Sequence, residues 1–269
     1  MDLPLTHSTA MNRVFFVAER IPSSNQESNK PLLNERLRKL ASGLEASARV
    51  EGFTKNGFVK VGIEGADSEI LGELIKRRLG IAPENASELE VDDNLKAYVI
   101  GIDQRGQSVE VEIGPASLNL RSEIIRQALA AQLCDGRTVP IDRIAQAYCL
   151  QEGVPVLVRI THIDRDRRHL EAWISDDQVA RFENWRRQRF HRIIAVGTVQ
   201  ERLREAIRTC RVERDVIDVE ELAFTANSLV CKLGTEAPGI IAKIGRHIGD
   251  TRLHAFLPER LDELRAGLG

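Results

Sequence analysis

GVPVLVRITHIDRDRRHLEAWIS, residues 153–175, alternates apolar and polar side chains on both sides of a charged turn at Asp164–Arg168. Val154, Val156, Val158 and Ile160 fall on one face, and Leu170, Ala172 and Ile174 continue that face beyond the turn. Arg159, Glu171 and Trp173 fall on the other. A period of two means a pleated strand, so the segment predicts a hairpin with one buried and one exposed face.

A second hairpin lies upstream in ELEVDDNLKAYVIGIDQRGQSVEVEIG, residues 88–114, with its turn at Asp103–Gly106. Val109, Val111 and Ile113 share one face there, and Glu110 and Glu112 the other. A helix is expected from Ser122 to Leu133. Two alternating hairpins with a connecting segment predict closure into a five-stranded OB barrel over residues 88–178.

The flanks read differently. Arg13–Ala18 is a buried strand, followed by a Ser/Asn-rich loop and a helix over Pro31–Leu44 that carries Leu33, Leu37, Leu40 and Leu44. Two strands then surround Thr54-Lys55-Asn56-Gly57, where Asn-Gly signals a hairpin turn. A second helix runs from Asp67 or Ser68 to Leu79 and stops at Gly80. The last third repeats this order: a strand at 192–197, a helix at Thr198–Cys210, strands at 216–222 and 228–234, a helix from Thr235 to Ile248, and a closing strand RLHAFL. The fold class expected is therefore α+β, with two ferredoxin-like βαββαβ-type units, residues 1–87 and 179–269, flanking the barrel. Glu35-Arg36-Leu37-Arg38 and Glu201-Arg202-Leu203-Arg204 sit in corresponding helices, which suggests duplication. Leu89-Glu90-Val91 can close the first unit or open the barrel.

Composition narrows the function classes. The 38 basic and 40 acidic residues give a formal charge of −2, so any case for nucleic acid must rest on local clustering. Aromatics are only 4%, which leaves few side-chain rings for nucleic-acid bases to stack on. Cys134, Cys149, Cys210 and Cys231 form no CxxC pair and read as small buried hydrophobes in a reducing cytosol. The N-terminus, MDLPLTHSTAMNRV, reads as a polar leader without the signature of a signal peptide. No stretch reaches the ~18 apolar residues of a membrane span, so a cytoplasmic protein with no membrane partner is expected.

Residues 88–176 resemble an S1-type RNA-binding domain. EGVPVLVRITHIDRDRRHLEAWIS is similar to that family's closing strands, LEVDDNLKAYVIGID to its opening strand, and Val139-Pro140-Ile141-Asp142-Arg143-Ile144 to its third. The resemblance implies RNA binding by aromatics of the second and third strands and by a strand-three histidine. Here SVEVEIG has no aromatic, and Pro140 stands where the histidine would be. As a whole the chain resembles an archaeal family catalogued as domain of unknown function 2110. The residues that carry this are ALAAQLCDGRTVPIDRIAQAYCLQEGVPVLVRITHI and SLVCKLGTEAPGIIAKIG. That resemblance implies no activity. A KH module needs a GxxG loop, and Gly245-Arg246-His247-Ile248-Gly249 is one residue too long.

The densest positive charge is Trp185-Arg186-Arg187-Gln188-Arg189-Phe190-His191-Arg192, four arginines and two aromatics with no acid. Arginine interleaved with aromatics suits phosphate contacts and base stacking. The same pattern also fits a linker helix whose Trp185 and Phe190 pack between units. Arg159, Arg165, Arg167, Arg168 and Trp173 extend the basic surface onto the barrel, diluted by Asp164, Asp166, Asp176 and Asp177. His162, Asp164, Asp166 and His169 are interleaved with arginines, which argues against a metal site, and Glu236 argues against an anion at Thr235–Gly239. Nucleotide-binding and hydrolase motifs are absent, so no enzyme and no cofactor are expected. The expectation is a non-catalytic binder of RNA or other single-stranded nucleic acid, working with archaeal transcription or translation machinery. Arg159, Arg165, Arg167, Arg168, Trp173, Trp185, Arg186, Arg187, Arg189 and Arg192 are its candidate contacts. A protein-interaction adaptor is the alternative, and a small-molecule sensor a third class that no residue supports.

Overall fold

The computed structural model describes residues 13–267. The polar leader at residues 1–12, with His7, lies outside them. Three β systems make up the α+β architecture: a three-stranded sheet, a closed five-stranded barrel and a four-stranded sheet.

The first sheet comprises β1 (Arg13–Arg20), β2 (Ala46–Phe53) and β3 (Phe58–Gly65), antiparallel in the order β1-β3-β2. Helices α1 (Gln26–Leu40) and α2 (Ser68–Leu79) cover one face. The first helix starts a turn and more ahead of Pro31, because its buried stripe begins at Asn29 and continues through Leu33 and Leu37. Beyond β1 on the edge of this sheet lies an isolated antiparallel bridge between Val17 and Ile81. Leu89 is buried in the core shared with the barrel.

The barrel strands are β4 (Asn94–Ile102), β5 (Ser108–Glu112), β6 (Arg121–Ile125), β7 (Pro155–Asp164) and β8 (His169–Ile174). They close in the order β4-β5-β6-β8-β7, with β6 parallel to β8, as in an OB-like barrel. Both alternating hairpins appear as read, and Val156, Val158, Ile160, Leu170, Ala172 and Ile174 are buried within.

The third barrel strand is not where it was expected. Arg121–Ile125 supplies it, with Ser122 and Ile124 turned inward, and the helix α3 begins only at Arg126, ending at Leu133. Residues 141–147 instead form α4 (Ile141–Ala147). Pro140 starts that helix as its N-cap, and Ile141, Ile144 and Ala145 are buried at helical spacing.

Beyond the barrel, α5 (Asp176–Gln188) is capped by Ser175, whose hydroxyl accepts the Gln178 N–H. The last sheet comprises β9 (Arg192–Val196), β10 (Val216–Ala223), β11 (Ala226–Cys231) and β12 (Arg252–Phe256), antiparallel in the order β10-β11-β9-β12. Helices α6 (Gln200–Thr209) and α7 (Ala237–Ile244) complete the expected order. A final helix, α8 (Pro258–Ala266), lies beyond the expected closing strand and packs on α5. Cys134, Cys149 and Cys231 are buried, and burial pushes the Cys149 thiol up to about 12. No helix among the described residues is long and apolar enough to cross a membrane.

The three β systems meet at Glu19, which is 1% exposed at the end of β1. Its carboxylate pairs with the Lys96 ammonium of β4 at 2.8 Å and accepts the Phe224 N–H at 2.8 Å. The Tyr98 hydroxyl lies 3.4 Å from Glu19 Oε2 and 3.2 Å from the Ala18 carbonyl, and accepts the Arg20 N–H. Burial and the adjacent Glu19 charge both push the Tyr98 phenol up, so it stays a neutral donor.

Candidate nucleic-acid interface

The hairpin β7–β8 gathers five of the ten candidate residues. Arg159 on β7 faces Trp173 on β8 across the ladder and Asn94 on β4 on its other side. Trp173 is 37% exposed, enough to offer part of a ring face to solvent. Arg159 is half-buried, and its Nε has no hydrogen-bond partner among the described residues. At the hairpin end, Arg165, Arg167 and Arg168 are all exposed. Arg165 reaches back to the Leu89 carbonyl at 3.0 Å. Arg167 is 3.8 Å from Asp164, while its N–H donates to the same carboxylate. Arg168 takes φ +52°, and its carbonyl accepts the Arg121 N–H, so the turn is anchored to β6. From His169 to Trp173 the strand rises about 13 Å at ~3.3 Å per residue, a span suited to a short single-stranded segment.

The second group, at 185–192, is turned inward. Trp185 is 5% exposed and meets Phe182 and Phe256 edge-on, with ring centroids 6.0 Å and 5.2 Å away. Arg192 is 2% exposed; its guanidinium lies 4.6 Å over the Trp185 ring, 2.7 Å from Glu220 and 2.7 Å from Gln188. Neither can offer a face to a base or a phosphate, and both are removed from the interface. Arg186 and Arg189 converge on Asp262 of α8, and Arg186 also contacts Glu183. Burial alone pushes the Asp262 carboxyl up, but hydrogen bonds from Arg186 and Arg189 outweigh it and hold it below the usual carboxylate range. These arginines tie α5 to α8. Arg187 alone of the group is exposed without a carboxylate partner among the described residues. The packing reading of this segment is therefore the one the structure supports for Trp185.

The adjoining stretch of the barrel, β5 and β6, where β6 pairs with β8, carries acids. Glu110, Arg121 and Glu123 line a cleft of about 720 Å³ with Asp103 and Arg105 from the β4–β5 turn. Glu123 is bonded by Ser108 at 2.7 Å and His169 at 2.9 Å, and Arg121 bridges it to Glu110. Burial pushes the Glu123 carboxyl up, yet those two bonds and the Arg121 charge hold it below its ordinary value. OB folds commonly bind oligonucleotides on this face; here fixed carboxylates repel phosphate. Sequence reading missed the Glu123–His169 pair because its members stand 46 residues apart.

Residues 190–254 match the family model described as the DUF2110 C-terminal domain, in agreement with the resemblance read from the sequence. Among solved structures, an uncharacterised protein of Methanocaldococcus jannaschii, MJ1198, is 10% identical with a TM-score of 0.24; the match covers 33% of this chain and 95% of that one. The a/eIF2alpha–aDim2p–rRNA complex of Pyrococcus horikoshii matches at 13% identity and a TM-score of 0.25, covering 48% of this chain and 70% of that one. A multidomain Streptococcus pneumoniae protein with nucleic acid binding domains matches at 10% identity and a TM-score of 0.21, covering 66% and 57%. No curated protein matches the chain. With likenesses this distant, the functional reading rests on the chain's own residues.

Proposed function

We propose that this chain, whose residues 190–254 match the DUF2110 C-terminal domain, binds single-stranded nucleic acid, RNA in the first instance, through the outer face of the β7–β8 hairpin. The observation that carries the reading is the exposed Trp173 set beside Arg159 on a strand that leads into three exposed arginines. Trp173 acts as a stacking platform, and Arg165, Arg167 and Arg168 take phosphates. The role is non-catalytic and serves archaeal transcription or translation machinery in the cytoplasm. The flanking units, residues 1–87 and 179–269, are ferredoxin-like in this reading: the last sheet runs second, third, first, fourth strand, and the first reduces its fourth strand to Ile81.

Trp173→Ala is expected to weaken binding of a short RNA by about 1–3 kcal/mol, the contribution of one stacked base. Trp173→Phe keeps a ring face and should retain most of the affinity. Fluorescence anisotropy of a labelled single-stranded RNA measures both. Equal affinity for the alanine variant and the native protein would remove Trp173 from the interface.

The acids of the β5–β6 face favour a second reading, in which the barrel is an adaptor for protein. Co-purification of a stoichiometric protein that survives nuclease, together with no RNA binding at low salt, would favour it.

A further inference from the structure

A second, unassigned cleft of about 200 Å³ lies where all three β systems meet. Arg20, Lys55 and Asn56 line it from the first unit, Tyr98 and Glu152 from the barrel, and Arg252 from the last sheet. These residues line a concave site between units, a common location for ligand pockets.

The cations are only partly committed. Arg20 uses its Nε on the Asn56 carbonyl at 2.8 Å and on Glu112 at 3.2 Å. Neither Nη of Arg20 has a hydrogen bond among the described residues. Lys55 is exposed in the β2–β3 turn, with no ion-pair partner among the described residues. Arg252 holds Glu152 at 2.8 Å. The Glu152 carboxyl lies below its ordinary value because Arg252 bonds it; burial opposes this, and the charges of Arg252 and Arg20 reinforce it. Three cations thus meet two carboxylates, Glu152 on the wall and Glu112 beside Arg20, and the mouth of the cleft keeps a net positive charge. Close packing builds the walls. A Cβ at Gly57, where φ is +90°, would come within 2.4 Å of the Ile21 carbonyl, and one at Gly153, where φ is +84°, within 2.7 Å of Val196.

We propose that this junction cleft binds a phosphoryl group, held by the free fork of Arg20 and the ammonium of Lys55, with Arg252 closing the rim. A planar guanidinium fork and a nearby point charge are the complement of phosphate oxygens. The volume suits a phosphate with part of a sugar rather than a whole dinucleotide. The group can come from a free mononucleotide or from the end or backbone of a nucleic acid. The site is separate from the hairpin face, and its occupancy does not depend on that reading.

The test is calorimetric titration of the full chain with inorganic phosphate, adenosine monophosphate, and a short RNA with and without a 5′-phosphate. The variants are Lys55→Gln, Arg252→Gln and their combination, all changes at exposed side chains. The native protein is expected to bind phosphate at millimolar concentration or better, and the double variant at least about tenfold more weakly, or ~1.4 kcal/mol. Trp173→Ala should leave phosphate binding unchanged, which separates this site from the hairpin. Tighter binding of the mononucleotide than of phosphate assigns a free nucleotide. A preference for the 5′-phosphorylated RNA that the double variant loses assigns a chain end. No uptake of any of these probes, or equal uptake by the double variant, overturns the proposal.

Discussion

Glu19→Ala is expected to destabilise the protein by about 3–5 kcal/mol, the cost of breaking a buried ion pair from one side. Lys96, with 17% of its side chain exposed, would keep its charge without its carboxylate. The Phe224 N–H would also lose its acceptor in the last sheet. Both losses fall where the three β systems touch, so the change loosens their mutual packing as well as one bond. Glu19→Gln should cost less, since an amide oxygen can still accept from Phe224 while its NH2 cannot pair with Lys96. Urea unfolding followed by circular dichroism measures the difference. A loss below 1 kcal/mol for the alanine variant would show that Glu19 does not hold the units together.

Trp185→Ala carries an effect of similar size, about 3–5 kcal/mol for removal of a large buried ring. The ring contacts Phe182 and Phe256 and supports the Arg192 guanidinium, so its loss opens a cavity and uncovers a buried charge. Trp185→Phe should recover part of that stability. In both variants, RNA affinity measured on folded protein should match that of the native chain, because Trp185 faces the core. The contrast with Trp173→Ala, which should leave stability nearly unchanged and weaken binding, separates the two tryptophans by role.

The sequence distinguishes these tryptophans only in part. Trp173 lies in a strand whose alternation states its face: Ala172 and Ile174 point inward, so Trp173 points out. Trp185 lies in an arginine-rich helix whose local composition suggests a surface. Glu183 apart, the carboxylates that neutralise those arginines are remote in sequence: Asp262 is 76 residues from Arg186 and 73 from Arg189, and Glu220 is 28 from Arg192. Charge clustering read along a chain cannot see partners that only folding delivers. The same holds for the junction cleft, whose cations Arg20, Lys55 and Arg252 stand singly in three segments.

The fold was legible where the period was strong. Val109, Val111, Val156, Val158, Leu170 and Ala172 alternate without interruption and define three of the five barrel strands, β5, β7 and β8. The strand Arg121–Ile125 was obscured because Ile125, Leu129 and Leu133 continue from it at helical spacing. α8 was missed, although Pro258 at its first turn and Leu261 as its buried anchor are ordinary helix signals. Its function is clear only in three dimensions, as the carrier of Asp262 and of Arg265, which pairs with Glu183.

The salt dependence of RNA binding tests the central claim most directly. Affinity of the native protein for a single-stranded RNA pool is measured from low to moderate salt, beside the variant Arg165→Gln/Arg167→Gln/Arg168→Gln. If the hairpin turn takes phosphates, log affinity falls with log salt, and the variant's slope is shallower by about 2, at ~0.7 for each lost contact. Native binding with the same slope in the variant, or no binding even at low salt, would contradict the account.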